Sequence, residues 1–303
     1  LNPSAIVYGA PSPGLIEVPT GAVQTSPLIP GSADLAEIAP GSLASAHVLA
    51  PPGVAERAYV TALAFRALAP GGRLVLFAPK DKGGQRLKAL LQGFGCEVAE
   101  DARKHHRFCF ASRPAEITGL DAAIAAGAPR LSAELGLWTQ PGVFSWDRID
   151  PGSALLMQAL DGLAGAGADL GCGIGALSAA LLGSPTVTTL HGVDVDGRAI
   201  ACAQRNLSDP RMRLAWADVR RWTDAPSDLD FVVMNPPFHD GGSEDKALGQ
   251  AFIRAAAAML RAGGTLRLVA NRHLPYEAVL REAFAAVTPI GDAQGYKLYE
   301  ARR

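Results

Sequence analysis

Four short stretches in the C-terminal half of the chain carry residue types that can do chemistry. The first is Asp169-Leu-Gly171-Cys172-Gly173-Ile-Gly175. Its alternate glycines permit positive φ and close approach of a ligand to the backbone. The helix that follows turns its N-terminus toward that ligand. A dinucleotide site uses G-x-G-x-x-G, so that the helix N-terminus holds a pyrophosphate. Here the string is G-x-G-x-G and an acid precedes it. That acid repels a phosphate and suits a cationic ligand with an amino group and a sulfonium.

The second stretch is Val193-Asp194-Val195-Asp196. An acid at the tip of the next strand can accept from both hydroxyls of a ribose, and Asp194 is the residue placed for it. Asp196 reads as a helix cap. The third is Ala217-Asp218, where the carboxylate either accepts from an adenine amino group or caps a turn. The fourth is Asn235-Pro236-Pro237-Phe238, after the apolar run Leu229–Met234. The residue before a proline is pushed out of the helical region, and two prolines fix the backbone that follows. The result is a rigid rim with an amide and carbonyls aimed at one point. Those acceptors suit an exocyclic NH2 group with two donors, and Phe238 offers a face on which a base can stack.

The elements that must position these residues alternate. Strands are expected at 168–170, 188–193, 213–217, 229–234, 265–270 and 297–301. Helices are expected at about 175–182, 197–207, 246–261 and 276–286. This alternation predicts a parallel sheet wound on both faces. Upstream, residues 1–55 are rich in Pro and Gly with weak periodicity. Helices at 55–68 and 85–92 and strands at 73–78 and 107–111 follow, then a connector at 112–135 with a short Ala-rich helix.

The two halves resemble each other. Ala69-Pro-Gly-Gly-Arg-Leu-Val-Leu-Phe-Ala-Pro aligns with Arg261-Ala-Gly-Gly-Thr-Leu-Arg-Leu-Val-Ala-Asn, and Ala50-Pro51-Pro52-Gly53 with Asn235-Pro236-Pro237-Phe238. A duplicated domain is inferred, with boundaries at 1–130 and 131–303. The N-terminal copy lacks a glycine-rich loop after a first strand and has Ala50 in the Asn235 position, so only the C-terminal copy is equipped for chemistry.

Taken together, DLGCGIG, VDVD and NPPF resemble the class I methyltransferases that act on planar amines, with their Rossmann-like α/β fold. The longer strings Asn235-Pro-Pro-Phe-His-Asp-Gly241, Thr139-Gln-Pro-Gly-Val-Phe-Ser-Trp-Asp147, Leu268-Val-Ala-Asn-Arg-His-Leu-Pro-Tyr276 and Tyr296-Lys-Leu-Tyr299 narrow the likeness. They resemble the RsmC/RlmG-type ribosomal RNA guanine-N2 methyltransferases, strongly over residues 136–303. The resemblance implies S-adenosyl-L-methionine as cofactor and a degenerate N-terminal copy of the fold. It implies ribosomal RNA or the small ribosomal subunit as partner, a monomer and a cytoplasmic location. It assigns Asp169, Gly171, Cys172, Gly173 and Gly175 to the methionine end of the cofactor and Asp194 to its ribose. Asn235 through Phe238 go to the target base, with Phe144 and Ser145 at the mouth of the cofactor site.

Composition sets the outer bounds. Of 303 residues, 49% are apolar, enough to bury a core, so disorder is not expected. The formal net charge is -1, so RNA contact would rest on local basic groups. The densest run is Arg103-Lys104-His105-His106-Arg107; Lys80, Lys82, Arg86, Arg220, Arg221 and Arg272 are further candidates. Cys96, Cys109, Cys172 and Cys202 form no C-x-x-C pair, so neither a zinc site nor a redox motif is expected. No signal peptide and no membrane span are expected either. Competing readings are transfer to a protein glutamine or to adenine N6, a non-catalytic RNA-binding assembly module, and a nicotinamide-dependent oxidoreductase.

Overall fold

A computed structural model describes residues 4–237, 239–240, 243–244 and 246–303, with only the backbone at 239, 240, 243, 244 and 246. Phe238 lies outside the described residues, as do the side chains of His239 and Asp240. The chain divides into two units, Leu1–Pro129 with Gln140–Gly142, and Arg130–Thr139 with Val143–Arg303.

In the first unit the strands are β1 (Ala5–Tyr8), β2 (Val23–Gln24), β3 (Leu43–Leu49), β4 (Leu68–Pro79), β5 (Ala99–Arg103) and β6 (His106–Ser112). They form one sheet in the order β2-β1-β3-β4-β6-β5. The first four are parallel, and β6 runs antiparallel to both β4 and β5. Helices α1 (Val54–Ala67), α2 (Leu87–Gly93) and α3 (Leu120–Gly127) contribute to a core that includes Phe65, Leu68, Leu76 and Leu87. On another surface of the sheet Phe77 and Phe108 stack at 5.3 Å beneath Leu15.

Residues 1–55, expected to be irregular, therefore hold three strands. All four β1 positions are buried, so Ala-Ile-Val-Tyr shows no polar alternation, and parallel strands buried on both faces read this way. The edge strand β5 was missed for the opposite reason: all five of its residues are exposed and it carries no apolar signal.

In the second unit a short pair, β7 (Arg130–Leu131) and β8 (Trp138–Thr139), precedes α4 (Pro151–Met157). Then come β9 (Gly165–Leu170), α5 (Ala176–Leu182), β10 (Val187–Asp194), α6 (Gly197–Asn206), β11 (Met212–Trp216) and β12 (Leu229–Met234). The hairpin β13 (His239–Asp240) and β14 (Ser243–Glu244) leads to α7 (Lys246–Met259), β15 (Leu260–Asn271), α8 (Glu277–Ala283), β16 (Ala286–Ala293) and β17 (Tyr296–Arg302). The seven-stranded sheet has the order β11-β10-β9-β12-β15-β17-β16. Strands β9 to β12 and β15 are parallel, and β17 is antiparallel to its two neighbours. Helix α7 buries Phe252, Ile253, Ala256 and Ala257 at helical spacing. Two expectations are corrected here. The helix predicted to reach 286 stops at Ala283, because the chain turns extended at Phe284 and enters edge strand β16 at Ala286. Helix α4 was not foreseen at all.

The two sheets share one plan. Matching β1 to β9, β3 to β12 and β4 to β15 leaves the first unit one edge strand short. The Gly-Gly turns coincide in detail. Gly71 and Gly263 have φ of +74° and +75°. A Cβ on Gly72 would meet the carbonyls of Ala69 and Leu43 at 2.8 and 3.2 Å; one on Gly264 would meet those of Arg261 and Leu229 at 2.9 and 3.0 Å. Arg113 donates its backbone N–H to Gly72 at 2.8 Å, as Arg303 does to Gly264 at 3.0 Å.

Sheet register corrects the Pro-Pro alignment by one residue. Met234 pairs with Leu268, and Val48 pairs with the equivalent Leu76. Leu49, not Ala50, therefore stands level with Asn235. By the same register Val7 stands level with Asp169 and Gly9 with Gly171. Gly9 keeps its positive φ, +85°, but the acid and the amide are replaced by Val and Leu. The carbonyls of Pro51 and Pro52 both accept from the buried Arg57 guanidinium at 3.2 Å.

Candidate active site

The glycine string after β9 folds by alternating into the left-handed region: φ is +75° at Gly171, +55° at Gly173 and +88° at Gly175. The backbone N–H groups of Gly171 and Cys172 both donate to the Val193 carbonyl, at 2.9 and 3.0 Å, which ties the loop to the end of β10. The glycines serve different ends. A Cβ on Gly175 would sit 2.7 Å from Leu207 Cδ1, so packing forbids it; one on Gly173 would meet nothing within 4 Å. Gly173 therefore leaves an open face.

Asp169 is 1% exposed and accepts from Ser178 Oγ at 2.7 Å. Burial pushes its carboxyl up to about 7, the Ser178 hydrogen bond pulls it back, and the charge of Asp194 adds to the rise. Asp194 accepts from the backbone N–H groups of Gly173 and Asp196, both at 2.8 Å. Burial raises it to about 6 against those backbone donors. Asp194 thus ties the glycine loop to the end of β10, while Asp169 is tied to α5 through Ser178. Asp196 caps α6 and pairs with Arg198 at 2.8 Å.

Cys172 is a buried thiol raised well above its usual value by burial, and it contributes shape rather than reactivity. Asp218 caps a turn through the Arg220 N–H at 2.9 Å, and its carboxylate binds the Arg220 guanidinium at 2.7 Å. The Arg220 hydrogen bond lowers it. It does not line the cleft, which brings together Asp169, Gly171, Cys172, Gly173 and Asn235 with Phe144 and Ser145. Phe144 is 60% exposed there, on a loop turned by Ser145 at φ +52°.

Asn235 follows β12, and its Nδ2 donates to Asp150 Oδ2 at 2.8 Å and to Ser153 Oγ at 3.0 Å. Sequence reasoning missed both partners. Their signal was Asp150-Pro151, an N-cap residue followed by proline at the first helical position. Asp150 does cap α4, accepting from the Ser153 N–H at 2.9 Å.

Several basic candidates are engaged within the protein. Arg103 lies 4.5 Å over the Phe108 ring, Lys104 donates to the Gly14 carbonyl at 2.7 Å, and Arg272 pairs with Asp292. The Tyr296–Tyr299 tail also has a structural part: Lys297 and Tyr299 bind Glu277 at 2.6 and 2.5 Å. Among the described residues no His, Cys, Asp and Glu group could hold a metal ion, and no described helix is long and apolar enough to cross a membrane.

The cleft suits a cationic ligand. It offers a glycine with an open face beside two buried acids, and the charge acting on Asp169 is that of another acid. A sheet of this order, with a glycine loop after β9 and an acid closing β10, is the fold of the class I methyltransferases. The chain belongs to the Methyltransferase small domain family, whose profile matches residues 134–300.

The chain is 33% identical over 250 residues to Ribosomal RNA small subunit methyltransferase C of Shewanella loihica, covering 81% of this chain and 73% of that one. It is 33% identical over 278 residues to the protein of the same name from Pseudomonas paraeruginosa, covering 90% and 84%. Among solved structures it resembles the T. thermophilus 16S rRNA N2 methyltransferase RsmC in complex with AdoMet and guanosine. That match has a TM-score of 0.74 and 31% identity, covering 89% of this chain and 75% of that one.

Proposed function

We propose that this protein methylates the exocyclic N2 of a guanine in small-subunit ribosomal RNA, with S-adenosyl-L-methionine as methyl donor. The observation that carries the reading is the meeting of the glycine loop and Asn235 in one cleft, with the Asn235 Nδ2 turned away onto Asp150 and Ser153. That orientation leaves Oδ1 to accept from a substrate NH2 group. The names of the matched relatives point to the same substrate.

S-adenosyl-L-methionine supplies an electrophilic methyl group on a sulfonium. Asp169, Gly171, Cys172, Gly173 and Gly175 hold its methionine end and Asp194 its ribose. A flipped guanine stacks on Phe238, and its N2 donates to Asn235 Oδ1 and to the Pro236 carbonyl. These bonds orient the nitrogen lone pair, and positioning supplies much of the rate. Pro237 stiffens the rim. The N2 nitrogen bonds the methyl as the sulfonium S–C bond breaks and then gives its proton to water, so no strong base acts first. Residues 131–303 form the catalytic domain and 1–130 a degenerate partner that contacts RNA. The protein acts in the cytoplasm as a monomer.

The test is transfer of labelled methyl from S-adenosyl-L-methionine to small ribosomal subunits and to their naked RNA, followed by nucleoside analysis. Label in N2-methylguanosine is expected, and Asn235→Ala is expected to keep cofactor binding and lose turnover. Label in adenine N6 or in protein glutamine would overturn the substrate assignment.

A further inference from the structure

Asn235 can serve the proposed reaction only if its amide presents oxygen, not nitrogen, to the substrate. An amide side chain can turn over, and in a cleft open to water little separates the two orientations. In this protein the choice is made outside the proline rim. The two hydrogens of Asn235 Nδ2 have two acceptors, Asp150 Oδ2 at 2.8 Å and Ser153 Oγ at 3.0 Å. An ionised carboxylate accepts and does not donate, so the reversed amide would set oxygen against oxygen at Asp150.

The local fold is built around this contact. Asp150 is fixed as the N-cap of α4, with the same Oδ2 accepting the Ser153 N–H at 2.9 Å and Pro151 setting the first turn. Gly152 lets the neighbours close in. A Cβ there would lie 2.7 Å from the Tyr296 ring and 3.0 Å from Asp150 Oδ2. Asp150, Ser153 and Asn235 all line the cleft that holds Asp169 and the glycine loop.

We infer that Asp150 is a positioning residue for methyl transfer: it locks the Asn235 amide with Oδ1 toward the target amine. Its effect on the reaction runs through Asn235. Donation from Nδ2 to a carboxylate also draws electron density onto Oδ1, which strengthens the acceptor as positive charge develops on the methylated nitrogen. This inference rests on the amine-methylating reading given above.

The experiment separates positioning from helix capping. Serine is a good N-cap, but its hydroxyl is too short to reach Asn235 from the Asp150 backbone and carries no charge. Asp150→Ser is therefore expected to keep the thermal midpoint and the affinity for S-adenosylhomocysteine, while kcat for methylation of the RNA falls at least tenfold. A second set reverses the polarity of the pair. Asn235→Asp alone sets two carboxylates against each other and should lose at least tenfold in kcat. The double variant Asp150→Asn, Asn235→Asp restores one donor facing one acceptor and should recover most of that loss. A parental kcat in Asp150→Ser, or a double variant no better than Asn235→Asp, would overturn the positioning role. A parent protein that methylates no guanine would instead overturn the substrate reading, and the two failures cannot be confused.

Discussion

Ser178 Oγ donates to the Asp169 carboxylate at 2.7 Å in a region where Asp169 is almost wholly buried. One hydroxyl does not offset the loss of water around a charge, and the neighbouring Asp194 makes the ionised form harder still. The carboxyl consequently sits at about 7 rather than at its ordinary 3.8.

A stability prediction follows from the sign of that shift. A group whose folded pKa is raised contributes stability that is present below its unfolded value and lost as pH rises through its folded value. For Asp169 the window runs from about 4 to about 7, and for Asp194 from about 4 to about 6. The ligand-free protein should therefore lose stability across pH 4–7 through this pair. Asp169→Asn removes the larger share of the effect. Its thermal midpoint should rise relative to the parent as pH goes from 5 to 8, and parallel melting curves at all pH values would contradict the argument.

Cofactor affinity should move the other way. A bound cation favours ionised carboxylates, so S-adenosyl-L-methionine should bind more tightly as pH rises from 5 to 7, by up to about tenfold per unit for one proton released. Calorimetry in buffers of different ionisation heat counts those protons directly. Ser178→Ala should weaken binding throughout, because the ionised Asp169 loses its donor at a buried position, a cost of about 1–3 kcal/mol.

Gly173 and Gly175 should separate binding from stability. Gly173→Ala strains a left-handed backbone at a cost of about 1–2 kcal/mol and meets no neighbour within 4 Å. It should fold and lose cofactor affinity, because the added methyl stands on the open face. Gly175→Ala adds a clash with Leu207 at 2.7 Å and should cost more in thermal stability. Melting curves beside calorimetric titrations of the two variants would check this.

Gly72 and Gly264 allow a matched pair of tests. Each would drive a Cβ into two backbone carbonyls, which cannot rotate away. Both alanine variants should be destabilised by similar amounts, and hydrogen exchange should place each loss in its own unit. A neutral result at either position would break the equivalence drawn between β4 and β15.

How far the site could be read in advance depends on where each signal lies. Asp169 through Gly175 is contiguous, its glycines adopt the left-handed conformation their spacing suggested, and the motif lies at the end of β9. Asn235, directly after β12 and in the same cleft, was legible for the same reason. Asp150 was not, because its tie to Asn235 spans 85 positions and its only local mark is an ordinary helix start. The Pro-Pro alignment was off by one because it matched residue types, whereas sheet register is fixed by hydrogen bonds between strands that the eye cannot pair in sequence. Strands β1 and β3 were hidden by the Pro- and Gly-rich connectors around them, and β16 by its exposure and by Pro289 and Gly291 within it.

The guanidinium of Arg57, buried against the carbonyls of Pro51 and Pro52, makes the silence of the first unit hard to undo. Restoring an amide at Leu49 would return one acceptor to a rim whose carbonyls are already claimed. Removing Arg57 to release them would cut the tie between the Pro51 and Pro52 carbonyls and the start of α1. Each single reversal therefore costs stability or leaves the rim still occupied. The first unit is thus held away from catalysis by its own packing as well as by the loss of the acid and the amide.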